Sequence, residues 1–123
     1  MKNNIKIKVK ADYIEDQSAP SIDRYVFAYT ISITNNGQIP VKLISRHWII
    51  TDGHGSTQEV RGAGVVGEQP YLAPGESFKY TSGTVMESPV GSMHGTYRMI
   101  NDDQEEFDAT IPSFTLSIPY ALH

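Results

Sequence analysis

Residues equipped for chemistry gather in two stretches, Ser45-Arg46-His47 and Glu59 to Pro70. The second holds Gly62-Ala63-Gly64-Val65-Val66-Gly67, a literal G-x-G-x-x-G. In dinucleotide-binding folds that spacing follows a strand, opens a helix and sets a pyrophosphate against the helix N-terminus. Here it runs into Glu68-Gln69-Pro70-Tyr71-Leu72-Ala73-Pro74-Gly75. Two prolines and a glycine there oppose a helix, so the sequence argues against a dinucleotide fold. A weaker chemistry survives, because successive amides of a glycine-rich loop form an anion nest without a helix. The candidate ligand-binding residues are then Gly62, Gly64 and Gly67, with Arg61 just before them and Arg46 from the paired strand. Their ligand would be a phosphate-containing small molecule, such as pyrophosphate or a dinucleotide polyphosphate, with or without a divalent cation. The competing reading, which the sequence favours, is a tight crossing between sheets with Val65 and Val66 capping the core.

Other constellations are weaker. Ser45 and His47 share a strand face, but no G-x-S-x-G elbow supports a nucleophile. His54 with Asp52 and His94 lacks diagnostic metal spacing, and His123 is the remaining histidine. Asp102, Asp103, Glu105 and Glu106 lack the glycine and spacing of a calcium loop. Hydrolysis of a phosphoanhydride would need a base near the glycine loop, where Glu59 and Glu68 are the only acids. No catalytic residue and no metal ligand is assigned, and no cofactor is expected.

The elements that must position these residues follow a period of two. Ile5, Ile7, Val9, Ala11 and Tyr13 alternate with Lys6, Lys8, Lys10 and Asp12, which predicts a half-buried strand with a solvated lysine row. Arg24 to Thr34 reads as a central strand, with Tyr25, Phe27, Tyr29, Ile31 and Ile33 on its core face. Val41 to Asp52 puts Ile44, Trp48 and Ile50 on one face together with Arg46, and Leu43, Ser45, His47 and Ile49 on the other. A charged Arg46 beside a core Trp48 must snorkel out or meet a carboxylate. A turn at Asp52-Gly53-His54-Gly55 leads to a return strand over 57–61. Residues 62–75 read as loop, with a short extended piece at Tyr71-Leu72. Further strands are predicted over 76–82, around Met93, Gly95, Tyr97 and Met99, and through Phe114, Leu116 and Ile118. About seven strands with turn signals between them and no helical window predict an all-β sandwich.

Composition bounds the rest. The 123 residues fit one domain spanning 1–123, and the absence of cysteine removes disulfides, thiolate catalysis and zinc–thiolate sites. The N-terminus has no long apolar stretch, so neither a membrane nor an export signal is expected, and a cytoplasmic location is. A formal charge of −4 weighs against a nucleic-acid surface.

Five stretches then occur in order: SRHWIITDGHG, EVRGAGVVGEQP, LAPGESFKYTSG, PVGSMHGTYRM and IPSFTLSIP. Together they resemble the ApaG family over nearly the whole chain. The resemblance implies a fibronectin type III-like β-sandwich, with the family's glycine motif on Gly62, Gly64 and Gly67. Its strand tryptophan falls on Trp48 and its Met-x-Gly-x-Tyr stretch on Met93, Gly95 and Tyr97. Family members often carry a glutamate inside the glycine motif, where this chain has Ala63. The resemblance brings no established catalytic activity. It implies an association with cobalt resistance and magnesium efflux, and a protein-binding role inferred where the domain is attached to larger proteins. The expectation is therefore a non-enzymatic binding module with a protein partner, with phosphate-ligand binding as the alternative.

Overall fold

The protein is described by a computed structural model over residues 2–119; His123 lies outside the described residues. Its strands are β1 (Ile5–Tyr13), β2 (Tyr25–Asn35), β3 (Val41–Asp52), β4 (Thr57–Ala63), β5 (Tyr71–Leu72), β6 (Ser77–Met86), β7 (Val90–Asn101) and β8 (Glu106–Ser117). Two three-residue 3₁₀ turns, Glu15–Gln17 and Pro20–Ile22, bridge β1 and β2. No helix among the described residues is long and apolar enough to cross a membrane. One sheet has the order β1-β2-β6, and the other β4-β3-β7-β8 with β5 paired to β3. All the pairings are antiparallel. This is the all-β, fibronectin type III-like sandwich expected, with the two-residue β5 as an eighth strand.

The core lies where the alternating faces meet. Phe27, Tyr29, Ile31 and Ile33 of β2 face Trp48 and Ile50 of β3 and Met93, Tyr97 and Met99 of β7, and all are buried. Trp48 is the hub of the aromatic packing. Its ring lies 5.5 Å from Tyr29, 5.9 Å from Phe114 and 6.3 Å from Tyr97, in tilted or edge-on geometries. Buried phenols must bring their hydroxyls a partner, and Tyr80 and Tyr97 supply each other. Burial pushes the Tyr80 hydroxyl up to about 12 and raises that of Tyr97 further still.

Strict alternation fails at one place in β3. Its register with β7 slips between Leu43 and Ser45, which marks a β-bulge at Ile44. The extra residue reverses the phase of the strand. Val41 and Leu43 therefore reach the core together with Trp48 and Ile50, while Ile44 is only half-buried. The expected grouping of Ile44 with Trp48, and of Leu43 on the opposite face, is corrected by this bulge. A second bulge shifts β8 near Pro112, an edge-strand position where a missing amide is tolerated.

Candidate functional site

The bulge in β3 is the foundation of the glycine loop. A bulged residue is left out of the ladder, so the Ile44 carbonyl is free to receive other donors. The Gly64 amide donates to it at 2.8 Å and the Gln69 side-chain amide at 2.9 Å. β4 runs through Gly62 and Ala63, which pair with Arg46 and Ser45, so the motif begins inside a strand rather than in the loop expected over 62–75. Gly64 then turns the chain with φ +61. Val65 and Glu68 exchange reciprocal backbone bonds of 2.8 and 2.9 Å around Val66 (φ 43) and Gly67 (φ 80). Two positive φ values at the centre are the signature of a type I′ turn. Val65 is wholly buried under the sandwich, whereas Val66 is 53% exposed at the tip. The two valines thus part company: only the first caps the core.

Arg46 resolves its placement beside Trp48 in a way the sequence did not reveal. Among the described residues it meets no carboxylate. One guanidinium nitrogen donates to the carbonyls of Ala63 and Gly64, both at 3.0 Å. Gly62 is what lets it lie there, since a Cβ at Gly62 would come within 2.8–2.9 Å of the guanidinium. Arg46 and the glycine motif therefore form one clamp: the bulge places the arginine, and the arginine ties down the loop's carbonyls. The loop points carbonyl oxygens at its cation and spends the amides of Gly64, Val65 and Glu68 on backbone partners.

The structure brings three of the five predicted ligand-binding residues to one surface cavity. Arg46, Arg61 and Gly62 line a surface cavity of about 380 Å³ with His47, Arg98 and Asp108. Gly64 and Gly67 are not on its wall. Apart from Arg46, the cations around it are paired with carboxylates. Glu59 accepts from His47 Nε2 at 2.6 Å and lies 3.4 Å from Arg61, and Arg98 pairs with Glu106 and Asp108. The hydrogen bond from His47, helped by the Arg61 charge, holds Glu59 below the ordinary carboxylate range. A carboxylate so stabilised is a poor general base near neutral pH. Asp52 accepts the amides of His54 and Ser56 in its turn, at 2.8 and 3.0 Å. The acidic run is likewise engaged: Lys2 meets Asp103 and Glu105, and Tyr71 donates to Asp102. Among the described residues no three metal-type side chains are grouped to hold an ion.

Comparison with known proteins identifies the lineage. A family model described as ApaG domain matches residues 15–101. The chain belongs to the ApaG family. Protein ApaG of Aromatoleum aromaticum is 55% identical over 122 residues, covering 99% of this chain and 96% of the relative. Protein ApaG of Pseudomonas aeruginosa is 56% identical over 121 residues, covering 98% and 96%. The crystal structure of a Bordetella pertussis protein described as ApaA superposes with a TM-score of 0.94 at 50% identity, over 97% of each chain. A calcium binding mutant of Bacteroides uniformis beta-glucuronidase 2 aligns with 91% of this chain and 15% of its own, with a TM-score of 0.51 at 12% identity, a likeness of fold alone. The ApaG relatives carry no reaction in their names. The ApaG motif of this chain is thus a bulge-supported turn, with Val66 as the residue whose character sequence reasoning missed. An Asn-Gly at positions 66–67 would have signalled the turn; a valine conceals it.

Proposed function

We propose that this ApaG protein is a protein-binding module without catalysis of its own, and that the tip of its glycine loop is a contact point for the partner. Val66 carries the reading. A β-branched residue in left-handed conformation costs about 1–2 kcal/mol relative to a compatible residue, and an apolar side chain 53% exposed recovers little of that through burial. Folding alone would place asparagine or glycine there. Strain kept at an exposed loop tip is the kind of feature that binding sites retain. In this reading the family's association with cobalt resistance and magnesium efflux is exerted through the partner, in the cytoplasm.

The test separates binding from folding. Val66→Asn is expected to raise or preserve stability while abolishing recovery of the specific partner by the immobilised protein from native lysate. Equal recovery by the wild type and by a fully folded Val66→Asn protein would overturn the reading.

A second reading rests on the cavity that joins Arg46, Arg61 and Gly62. Arg61, with a side chain 71% exposed, is the cation freest to meet a phosphate. Calorimetry with pyrophosphate, ATP and diadenosine tetraphosphate, each with Mg²⁺ or Co²⁺, should then show binding that Arg61→Ala and rising salt weaken. Absence of heat with all three ligands removes this alternative.

A further inference from the structure

The outer face of the β1-β2-β6 sheet is built differently from the rest of the surface. Antiparallel register sets Lys8, Ser32 and Lys79 in one cross-strand row, Lys10, Thr30 and Thr81 in the next, and Lys6, Thr34 and Ser77 in the third. Small side chains along the middle strand leave a trough, and a cavity of about 530 Å³ lies over it, lined by Lys8, Lys10, Lys79, Thr30, Ser32 and Thr81. Its walls are lysines from both edge strands, about 9–10 Å apart at two strand spacings, and its floor is hydroxyls. Thr30 and Thr81 join their hydroxyls at 2.8 Å across that floor.

Among the described residues Lys2, Arg61 and Arg98 are ion-paired, whereas Lys6, Lys8, Lys10 and Lys79 are not; Arg24, Lys42 and Arg46 also lack an ion pair but lie outside this face. Four of the chain's ten cations thus face solvent on one side of a protein whose net charge is −4. Lysines on an exposed edge also discourage strand pairing, which accounts for the row on β1. It accounts equally for Lys79 on the opposite edge, but not for the floor of small hydroxyl residues that lies between Lys8 and Lys79.

We propose that this trough docks an extended acidic segment of the partner protein. The proposal rests on the protein-binding reading above and adds a second contact, remote from Val66 in sequence. Successive side chains of an extended chain point to opposite sides at a rise of about 3.3 Å per residue. A run of consecutive Asp or Glu residues lying along β2 therefore sends alternate carboxylates to Lys8 and Lys10 on one wall and to Lys79 on the other. Its backbone polar groups meet the hydroxyls of Thr30, Ser32 and Thr81. Asp12, at the end of the lysine row, repels an acidic chain and limits how far it extends. A nucleic-acid duplex needs many cations over a broad surface, which four lysines on an acidic chain do not supply.

The experiment uses the full chain and a labelled peptide with four consecutive Glu residues between Gly-Ser flanks, read by fluorescence anisotropy. The peptide should bind, its Gln counterpart should not, and rising salt should weaken the complex. Lys8→Gln combined with Lys79→Gln should reduce affinity at least tenfold with an unchanged circular dichroism spectrum. Lys42→Gln, an exposed lysine on the other sheet, should leave affinity unaltered. Failure of the wild type to bind, equal weakening by Lys42→Gln, tighter binding of single-stranded oligodeoxythymidine of matched charge, or displacement of the peptide by inorganic phosphate alone would each overturn the proposal. None of these outcomes bears on partner recovery by the Val66→Asn protein, so the two readings fail separately.

Discussion

The three glycines of the motif should respond to alanine in a graded way, for three different reasons. At Gly67 the added Cβ meets nothing within 4 Å, so only the left-handed φ of +80 is penalised, by about 1–2 kcal/mol. At Gly62 the backbone is ordinary, but the Cβ lies 2.8 Å from both terminal nitrogens of Arg46. The guanidinium must leave, and loss of its two part-exposed bonds to the loop carbonyls costs about 1–2 kcal/mol. At Gly64 both problems combine: φ is +61 and the Cβ would run into the Glu68 carbonyl, which is backbone. Relief requires opening the Val65–Glu68 turn, so about 1 kcal/mol for each of its two bonds joins the conformational cost, giving about 3–4 kcal/mol. A chain of this length has about 6–18 kcal/mol in total, so Gly64→Ala should leave a folded but visibly weakened protein. Urea denaturation, read as midpoint at constant slope, measures all three. A double-mutant cycle adds the decisive check. Gly62→Ala and Arg46→Ala remove the same clamp, so their combined effect should fall well short of the sum. Equal losses at the three glycines, or full additivity of Gly62→Ala with Arg46→Ala, would refute this account of the motif as a clamp and turn.

Three further outcomes follow from other contacts. Val66→Asn should raise the urea midpoint, with a gain of about 1 kcal/mol, because asparagine tolerates the left-handed region that valine does not. Tyr80 and Tyr97 keep their protons in the folded state above the pH at which unfolded tyrosines ionise near 10. Above that pH the native state binds more protons than the unfolded state, so stability falls as pH rises; Tyr97→Phe should flatten the alkaline fall in melting temperature while costing about 1–3 kcal/mol at neutral pH by stranding the Tyr80 hydroxyl. Glu59 and Glu105 are depressed by His47 and Lys2 respectively, so their contribution is present above the ordinary carboxylate pKa and is lost as pH falls through their folded values. Glu59→Gln with Glu105→Gln should therefore lower the melting temperature at pH 7 and lessen its further decline on acidification, a slope readable by calorimetry across pH.

How much was legible beforehand depended on whether the deciding contact was local. The faces of β1, β2 and β7 were legible because alternation needs only the geometry of one extended chain. Tyr25 to Ile33 and Met93 to Met99 fell on the sides their spacing assigned. The phase of β3 was not, because a bulge at Ile44 reflects how β3 meets β7, and nothing in VKLISRHW marks the slip. Of the candidate site, the sequence located the glycine stretch and singled out Arg46 as out of place. Its partners were hidden because they are main-chain carbonyls, which every residue possesses and no residue type advertises.

Periodicity, proline and glycine act on the nearest few residues, and they suffice for the strand-rich class, the core faces of the regular strands and the absence of a helix after Gly67. Which strands pair, that Arg46 clamps the loop, that Val66 is held strained at the surface, and that Lys8 faces Lys79 across Ser32 are settled by long-range packing. Each of these depends on the approach of segments distant along the chain, and that approach is set by the packing of two whole sheets around Trp48.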